Sequence, residues 1–477
     1  MRTRTAVQFV MLLGEAALFL LSGTVVYVII SRWAGAAFLG QYSLTLAWIM
    51  FFQAFAFFGI PDYLLRELGR DAEGGRESIG HALIIGLAVS ALAMLIMAAL
   101  VSLFRYGADV DRALLLGCLM LPSTTVSAIC RSVFLARKRS EAALSVAAIE
   151  ATSVIVINSY LVLHGAGLIP IVLTLVGAKV VSSLLSLTLL WRLRIPVRWT
   201  IDVAFCRTFI PPLCTFAMTN SLGLFSSRIT LIMLSMWASF SVIGVFSAAN
   251  KILELALVLP SIFAQLIMPG LAQAYADRRQ YDGALAEKTV AWLLVMTVPL
   301  CVGVILFASS LLELLFGAEF IVGELILRLL MVYFVIESVD TLWAVFLKAA
   351  NRQRKDLQLY LANPMVNVIL NIVFIPALGG LGAALAKLLG GLSSFSLRYA
   401  YLSRHMVSLN LRHSLAVPLS VSLGAGLVIA LLRDQVNPYV QPLVYISMCA
   451  FFLYLLHGLT FQRHLVPIGG RHQPPPS

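Results

Sequence analysis

Charged residues are scarce in this chain. Only 12% of its 477 residues are Asp, Glu, Lys or Arg, whereas 60% are hydrophobic. Because a soluble globular protein carries about 25% charged residues, this composition excludes an ordinary soluble fold. The mean hydropathy of +0.95 instead predicts an all-α polytopic membrane protein, since helices satisfy their own backbone hydrogen bonds inside a bilayer.

Motifs for nucleotide, metal and redox chemistry are also missing. The sequence contains no GxxxxGK[ST] phosphate loop and no HExxH zinc motif, and its six cysteines form no CxxC pair. We therefore expect reduced packing cysteines, no metal, no cofactor and no catalytic residue. A glycan polymerase or ligase would need a large external loop, and the longest predicted outward loop, 309–323, is too short. The chain is predicted to be a transporter and not an enzyme.

A short stretch of sequence occurs twice. Ser31–Ser43 reads SRWAGAAFLGQYS and Ser235–Ser247 reads SMWASFSVIGVFS, and the two copies align without gaps at a constant offset. In this alignment Gly40 matches Gly244, and Trp33 matches Trp237. Each copy connects two long apolar runs, so the duplicated unit is predicted to be a set of membrane helices.

Many apolar runs are long enough to cross a membrane, for which a helix needs about 20 residues. Of the 34 Lys and Arg, 25 lie at the ends and connectors of these runs on one side of the membrane, and Arg398 is one of them. By the positive-inside rule this pattern predicts that both termini are cytoplasmic. The formal charge of +12 is scattered between apolar runs and forms no single basic face, which argues against nucleic acid. The fourteen predicted spans are 8–30, 40–60, 79–103, 113–135, 141–163, 168–191, 208–236, 241–269, 288–308, 324–348, 356–376, 381–402, 413–432 and 440–461.

The repeat and the topology together predict two lobes. The first and seventh spans enter the membrane from the same side, six crossings apart, so a pseudo-twofold axis along the membrane normal relates two six-helix lobes. Two further helices have no counterpart and are predicted to lie at the lipid-facing periphery. The predicted domains are an N-terminal lobe at 1–192, a cytoplasmic connector at 193–206, a C-terminal lobe at 207–403, and 404–477 with the peripheral helices and a cytoplasmic tail.

Cations inside the predicted spans are candidates for substrate binding. A charge at a helix centre costs about 2.5 to 3.5 kcal/mol on insertion scales, so such residues face the bundle interior or a wet cavity. Lys179 lies in the middle of a span with no oppositely charged neighbour in sequence. Lys251 and Glu254 are three residues apart, so they suit an internal ion pair as well as they suit a ligand site. Arg228 and Lys387 are predicted either to line an outer vestibule or to extend their charged ends toward the outer membrane surface.

Amides extend this candidate site. Asn363, Asn367 and Asn371 recur every four residues and form a polar stripe on one helix face. Such amides bind sugar hydroxyls or, as the alternative, hydrogen-bond to a neighbouring helix. The predicted lumenal substrate-binding residues are Lys179, Arg228, Lys251, Lys387, Asn250, Asn367 and Asn371.

Three acidic residues are candidates for ion coupling. Glu337 and Asp340 share one face of the tenth span, with no basic residue in the neighbouring turns, and Glu15 lies on the first span. Two nearby carboxylates hinder each other's ionisation in a low dielectric, which suits a carrier of H⁺ or a ligand of Na⁺. Hydrogen bonding to another span is the alternative.

Four segments carry a resemblance to a known family. They are Gly40–Leu68, which contains a Leu-Leu-Arg-Glu turn at 64–67, together with Ile243–Ala272, Leu315–Leu330 and Leu347–Lys387 with its Asn, Pro and Gly spacing. Together they resemble the polysaccharide transport family of lipid-linked oligosaccharide flippases, within the multidrug/oligosaccharidyl-lipid/polysaccharide exporter superfamily.

The resemblance implies a multi-pass flippase of the bacterial inner membrane. It would move an undecaprenyl-diphosphate-linked repeat unit of O-antigen, capsule or exopolysaccharide by alternating access, with basic residues meeting the diphosphate. A glycan polymerase and a chain-length regulator are the implied protein partners. Two alternatives stay open: a cation-coupled multidrug exporter of the same superfamily, which would use Glu15, Glu337 and Asp340, and a lipid II flippase, whose relatives resemble one another in arginine-rich first spans.

Overall fold

The structure is a computed structural model, and it describes residues 2–70, 76–195, 228–278, 283–406, 411–431, 441, 444–445 and 447–449. All regular secondary structure in these ranges is helical. The helices are α1 (Arg2–Phe57), α2 (Ile60–Arg70), α3 (Arg76–Phe104), α4 (Ala108–Gly117), α5 (Met120–Ala136), α6 (Ser140–Leu163), α7 (Leu168–Arg192), α8 (228–234), α9 (Phe240–Ala256), α10 (Val258–Arg278), α11 (Gly283–Leu306), α12 (Ala308–Phe316), α13 (Glu324–Ala349), α14 (Gln353–Tyr360), α15 (Ala362–Leu378), α16 (Gly380–His405) and α17 (Leu411–Leu431), with a 3-10 helix at Ala318–Gly323.

Within those ranges, nine helical stretches are long and apolar enough to cross a membrane. The first, Gly14–Phe57, overlaps two predicted spans, and each of the others overlaps one. Helices α13 and α17 match the predicted spans at 324–348 and 413–432. The all-α polytopic membrane fold is therefore confirmed. Most of the spans predicted at 208–236 and 440–461, and the connector from residue 196 onward, lie outside the described residues, so the count of fourteen stays a prediction.

Each copy of the repeat separates two helices, as the sequence predicts. In the first copy Gly35 has φ 80° and ψ −179°, which divides α1 into two helices on either side of a kink. Glycine adopts this positive φ without the steric cost that a Cβ would add. In the second copy α8 ends at residue 234 and α9 begins at Phe240, so the turn lies at the equivalent place.

The two copies contact each other through their shared glycine. An ideal Cβ on Gly40 would lie 1.9 Å from the carbonyl oxygen of Phe240, and one on Gly244 would lie 1.9 Å from the carbonyl oxygen of Ala36. Ala36 and Phe240 are themselves equivalent positions of the repeat, so the contact is symmetric. Small residues let helix backbones approach this closely. A local pseudo-twofold axis therefore passes through this crossing, which we call the glycine crossing.

The chain divides into two compact units, Met1–Leu255 with Ser309–Leu330 and Gln353–Ser394, and Ala256–Ala308 with Met331–Arg352 and Phe395–Ser477. In the first unit α1 packs on α3, α5 and α6, while α7 packs on α4, α5 and α6. In the second unit α11 packs on α17. The predicted lobes follow the sequence repeat instead and stay a prediction, because the first unit contains segments from both halves of the chain.

The amphipathic helix α2 completes the core of the first unit. Its residues Ile60, Leu64 and Leu68 are buried against apolar residues of α3, α5 and α6. This spacing of four places them on one face, and the charged residues Arg66 and Glu67 of the Leu-Leu-Arg-Glu turn lie between them in sequence. The turn therefore belongs to a short helix that packs its apolar face on this core.

Candidate functional site

One carboxylate in the first unit is contacted by polar side chains from two helices. Glu254 on α9 accepts from Asn250 Nδ2 at 3.2 Å, and its other oxygen lies 3.3 Å from Lys251 Nζ on the same helix. Arg228 Nη1 on α8 approaches Glu254 Oε1 at 3.1 Å. The spacing i, i+1 and i+4 on α9 brings the amide and the ammonium group to the same carboxylate. Of the two alternatives for Lys251 and Glu254, the structure contains the internal pair, and Glu254 also contacts Asn250 and Arg228.

A second cation joins this group from α16. Lys387 Nζ donates to Asn250 Oδ1 at 2.7 Å, so the amide of Asn250 links Lys387 to Glu254. The first turn of α16 packs on α9, where a Cβ on Gly380 would lie 3.4 Å from Val242, at ordinary van der Waals distance. We call Arg228, Asn250, Lys251, Glu254 and Lys387 the cationic cluster.

Helix α1 forms one wall of the cationic cluster. Lys251 Nζ lies 5.0 Å from the ring centroid of Tyr27, within the range of a cation–π interaction. Gly23, one turn earlier on α1, faces the same ammonium group, because an ideal Cβ there would lie 3.4 Å from Lys251 Nζ. Tyr27 also packs edge-on against Tyr42, with ring centroids 5.7 Å apart. Nothing in the sequence marks Tyr27, because its neighbours along the chain are apolar and give no sign of a charged partner.

The cationic cluster has more positive than negative charge. Three cations and one carboxylate give a formal sum of +2 (3 − 1). The side chains of Arg228 and Lys251 are 16% and 12% exposed, and that of Glu254 is 28% exposed. Arg228 Nε is buried and has no hydrogen-bond partner among the described residues. A partly accessible group of fixed cations with donors to spare is suited to an anion with several oxygens, such as a phosphate.

The predicted asparagine stripe ties α8 to α15. Thr230 donates to Asn367 Oδ1 at 3.0 Å, and Asn371 Nδ2 lies 2.8 Å from the same oxygen and 3.3 Å from Thr230 Oγ1. All three side chains are buried. In this conformation the two asparagines therefore make the interhelical hydrogen bonds named above as the alternative to sugar binding. They hold α8, which carries Arg228.

Lys179 is not unpaired, contrary to what its sequence neighbours indicate. Its ammonium group forms an ion pair with Glu150 on α6, and Ser182 Oγ donates to Glu150 Oε2 at 2.8 Å. The two charged side chains are 22% and 18% exposed. This pair shares no residue with the cationic cluster. Glu150 lies on the preceding span, so only the packing of α6 on α7 reveals the partner.

Two of the three predicted ion-coupling residues have an arginine partner. Glu15 forms an ion pair with Arg131 on α5, and Asp340 forms one with Arg398 on α16. Arg398 was expected at a cytoplasmic helix end, but it is buried, because α16 carries it to the carboxylate on α13. Glu337 Oε2 is buried and makes no hydrogen bond to any residue that the structure describes. The pairs Glu15–Arg131 and Asp340–Arg398 share no residue with the cationic cluster.

Cysteines and acids are not arranged as metal ligands in the described part of the chain. No group of three or more His, Cys, Asp or Glu there could hold a metal ion. Cys118, Cys130, Cys301 and Cys449 are free and buried, and the two remaining cysteines lie outside the described residues.

This chain is similar to known proteins in both sequence and fold. The family model described as "polysaccharide biosynthesis protein" matches residues 9–275. Among curated proteins, the probable low-salt glycan biosynthesis flippase Agl15 of Haloferax volcanii is 22% identical over 201 residues, which are 42% of each chain. The chain thus matches less than half the length of this relative.

Solved structures show the same fold at low sequence identity. The lipid II flippase MurJ in an inward closed conformation aligns with a TM-score of 0.76 and 15% identity, over 96% of this chain and 100% of that chain. An inward-facing multidrug resistance transporter of the MATE family, in the MOP superfamily, aligns with a TM-score of 0.64 and 17% identity, over 80% and 93% of the two chains. These likenesses show the fold alone.

Proposed function

Because the chain belongs to the polysaccharide biosynthesis protein family, we propose that it is a flippase for an undecaprenyl-diphosphate-linked oligosaccharide repeat unit. The repeat unit would belong to O-antigen, capsule or another exopolysaccharide. The membrane would be the bacterial inner membrane, with both termini in the cytoplasm, and transport would proceed by alternating access. A glycan polymerase and a chain-length regulator are the partners proposed with it.

The cationic cluster is the observation that carries this proposal. A diphosphate and its sugars cannot enter hydrocarbon without a large cost in free energy, so a protein that moves them must supply compensating groups. Arg228, Lys251 and Lys387 supply three cations from three helices. Arginine binds phosphate through paired N–H donors and lysine binds it as a point charge. The polyprenyl tail needs no such shelter, because it is itself apolar.

The same cluster argues against a cationic drug as substrate. A net positive site repels a cation, and like charges in a partly desolvated site are costly. The predicted acidic residues do not reverse this sign, because Glu15 and Asp340 each have an arginine partner. Glu337 is the one we propose for H⁺ coupling, since its buried Oε2 has no hydrogen-bond partner in the described ranges.

Flipping in liposomes tests the proposal. The protein is reconstituted with a fluorescent polyprenyl-diphosphate oligosaccharide, and a membrane-impermeant quencher reports the fraction in the outer leaflet. We expect Arg228→Gln and Lys387→Gln each to slow flipping about tenfold or more, because a hydrogen bond to a charged group contributes about 1.5 to 3 kcal/mol. Arg328→Gln is the matched control, because Arg328 pairs with Glu324 on α13 and lies outside the cluster.

Two results would contradict the proposed function. One is flipping by both cluster variants at the rate of the wild-type protein, with the melting temperature confirming that they are folded. The other is transport of a cationic dye with no flipping of the glycolipid by wild-type protein. Equal slowing by Arg328→Gln would show instead that any lost cation has the effect, and it would also remove the cluster from the site.

A further inference from the structure

The side chain of Glu254 is more exposed than those of Arg228 and Lys251, the two cations that contact its carboxylate. We propose that Glu254 is a specificity-determining residue, which makes the cationic cluster prefer a diphosphate esterified at both ends over a diphosphate with a free terminal phosphate. The inference rests on the proposed function, and it adds which form of the carrier lipid the site accepts.

The geometry makes a ligand and Glu254 share the same cations. Arg228 and Lys251 both approach the Glu254 carboxylate, at 3.1 and 3.3 Å. Lys387 reaches it through Asn250, which accepts from Lys387 at 2.7 Å and donates to Glu254 at 3.2 Å. An anion that binds the three cations therefore lies beside the carboxylate, and its charge adds to that of Glu254.

The cationic cluster has enough donors for the Glu254 carboxylate and a bound phosphate at the same time. A guanidinium group offers five N–H donors and an ammonium group offers three. The buried Nε of Arg228 has no partner among the residues that the structure describes. A bound phosphate oxygen therefore need not displace Glu254, and the carboxylate stays as part of the charge that a ligand meets.

Charge matching then separates two classes of ligand. The cluster has a formal charge of +2 (3 − 1). A diphosphate esterified at both ends keeps one ionised oxygen on each phosphate and carries −2, so the complex is neutral. A free terminal phosphate loses a second proton with a pKa of about 6, so this ligand carries about −3 at pH 8. Because uncompensated charge is costly in a low dielectric, the second ligand should bind less well.

The inference also indicates which reactions precede and follow transport. A diphosphate with sugar on one end and a polyprenyl group on the other is the product of sugar-phosphate transfer from a nucleotide sugar to a polyprenyl phosphate, with release of the nucleoside monophosphate. Removal of the glycan leaves the carrier with a free terminal phosphate. A site that rejects this form would bind the loaded carrier and would not return the spent one.

Binding of two short-chain probes tests this. They are farnesyl diphosphate and farnesyl diphosphate esterified with N-acetylglucosamine on its terminal phosphate, and farnesol reports binding of the tail alone. Dissociation constants are measured by calorimetry at pH 8 on the purified full-length protein in detergent. We expect the wild-type protein to prefer the sugar diester, and Glu254→Gln, with a cluster charge of +3, to reduce that preference by about tenfold or more.

Relocating the charge separates it from the shape of the side chain. Asn250→Asp combined with Glu254→Gln returns the formal charge to +2 and should restore the wild-type preference. Lys251→Gln lowers the charge to +1 and should shift the preference in the opposite direction from Glu254→Gln, which keeps the test decisive if one variant does not fold. Glu324→Gln, at a pair with Arg328 outside the cluster, should leave both dissociation constants unchanged.

The outcomes distinguish this inference from the proposed function. If the wild-type protein binds neither diphosphate more tightly than farnesol, the proposed function is wrong and the inference falls with it. If it binds the diester but Glu254→Gln leaves the ratio of dissociation constants unchanged, the inference alone is overturned. Loss of both ligands in a folded Glu254→Gln variant, or no recovery in the double variant, would likewise overturn it, because Glu254 would then hold the cations in place and not set their charge.

Discussion

A single methyl group at the glycine crossing should destabilise the protein. Replacing Gly40 with Ala puts a Cβ 1.9 Å from the carbonyl oxygen of Phe240, whereas ordinary van der Waals contact begins at 3.4 Å. The two helices must therefore separate by about 1.5 Å (3.4 − 1.9). A backbone carbonyl cannot rotate out of the way as a side chain can. Gly244→Ala creates the equivalent clash with Ala36.

The size of the effect follows from two opposing contributions. Overpacking a close contact costs about 1 to 3 kcal/mol, whereas replacing a glycine inside a helix by alanine gains up to about 1 kcal/mol in helix propensity. Gly177→Ala in α7 is the matched control, because a Cβ there meets nothing within 4 Å. Propensity cancels between Gly40→Ala and this control, so their stabilities should differ by about 1 to 3 kcal/mol.

Thermal unfolding in detergent, followed by tryptophan fluorescence, measures the difference. We expect Gly177→Ala to melt at or above the wild-type temperature and both Gly40→Ala and Gly244→Ala to melt below it. The double variant should be less destabilised than the sum of the singles, because the first methyl group already separates the helices. If Gly40→Ala and Gly177→Ala melt at the same temperature, the prediction is wrong, because the backbones would then not be in contact.

Two further predictions concern the buried charges. Lys179→Met leaves Glu150 without its cation, so we expect a lower melting temperature than for Lys179→Met with Glu150→Met, and the double variant should still bind the sugar diester; loss of that binding would assign Lys179 to the site instead. If Glu337 carries a proton, Glu337→Gln should flip glycolipid at a rate that an imposed pH gradient does not change, while Glu324→Gln keeps the wild-type response. A gradient response of Glu337→Gln equal to that of the wild-type protein would exclude Glu337 from coupling.

Residue spacing within a helix was enough for some of the site. The separation of three made an internal pair one of the two alternatives for Lys251 and Glu254, and the asparagine stripe on α15 was expected from its repeat of four. These contacts are local, because the pitch of the helix places such residues on one face whatever surrounds it. The same spacing links Asn250 to Glu254, yet nothing in one helix shows that Arg228 and Lys387 approach as well.

The sequence by itself determined the class of the protein, most of its spans, the duplication and the family. Hydropathy sums over neighbouring residues, so it needs no knowledge of packing, and Gly40 and Gly244 are visible as equivalents without coordinates. Only the tertiary structure decided which charges compensate each other: Lys179 with Glu150, Asp340 with Arg398, and three cations around Glu254. The partners lie on different spans, and their meeting depends on how each helix is rotated and tilted against its neighbours, which packing sets.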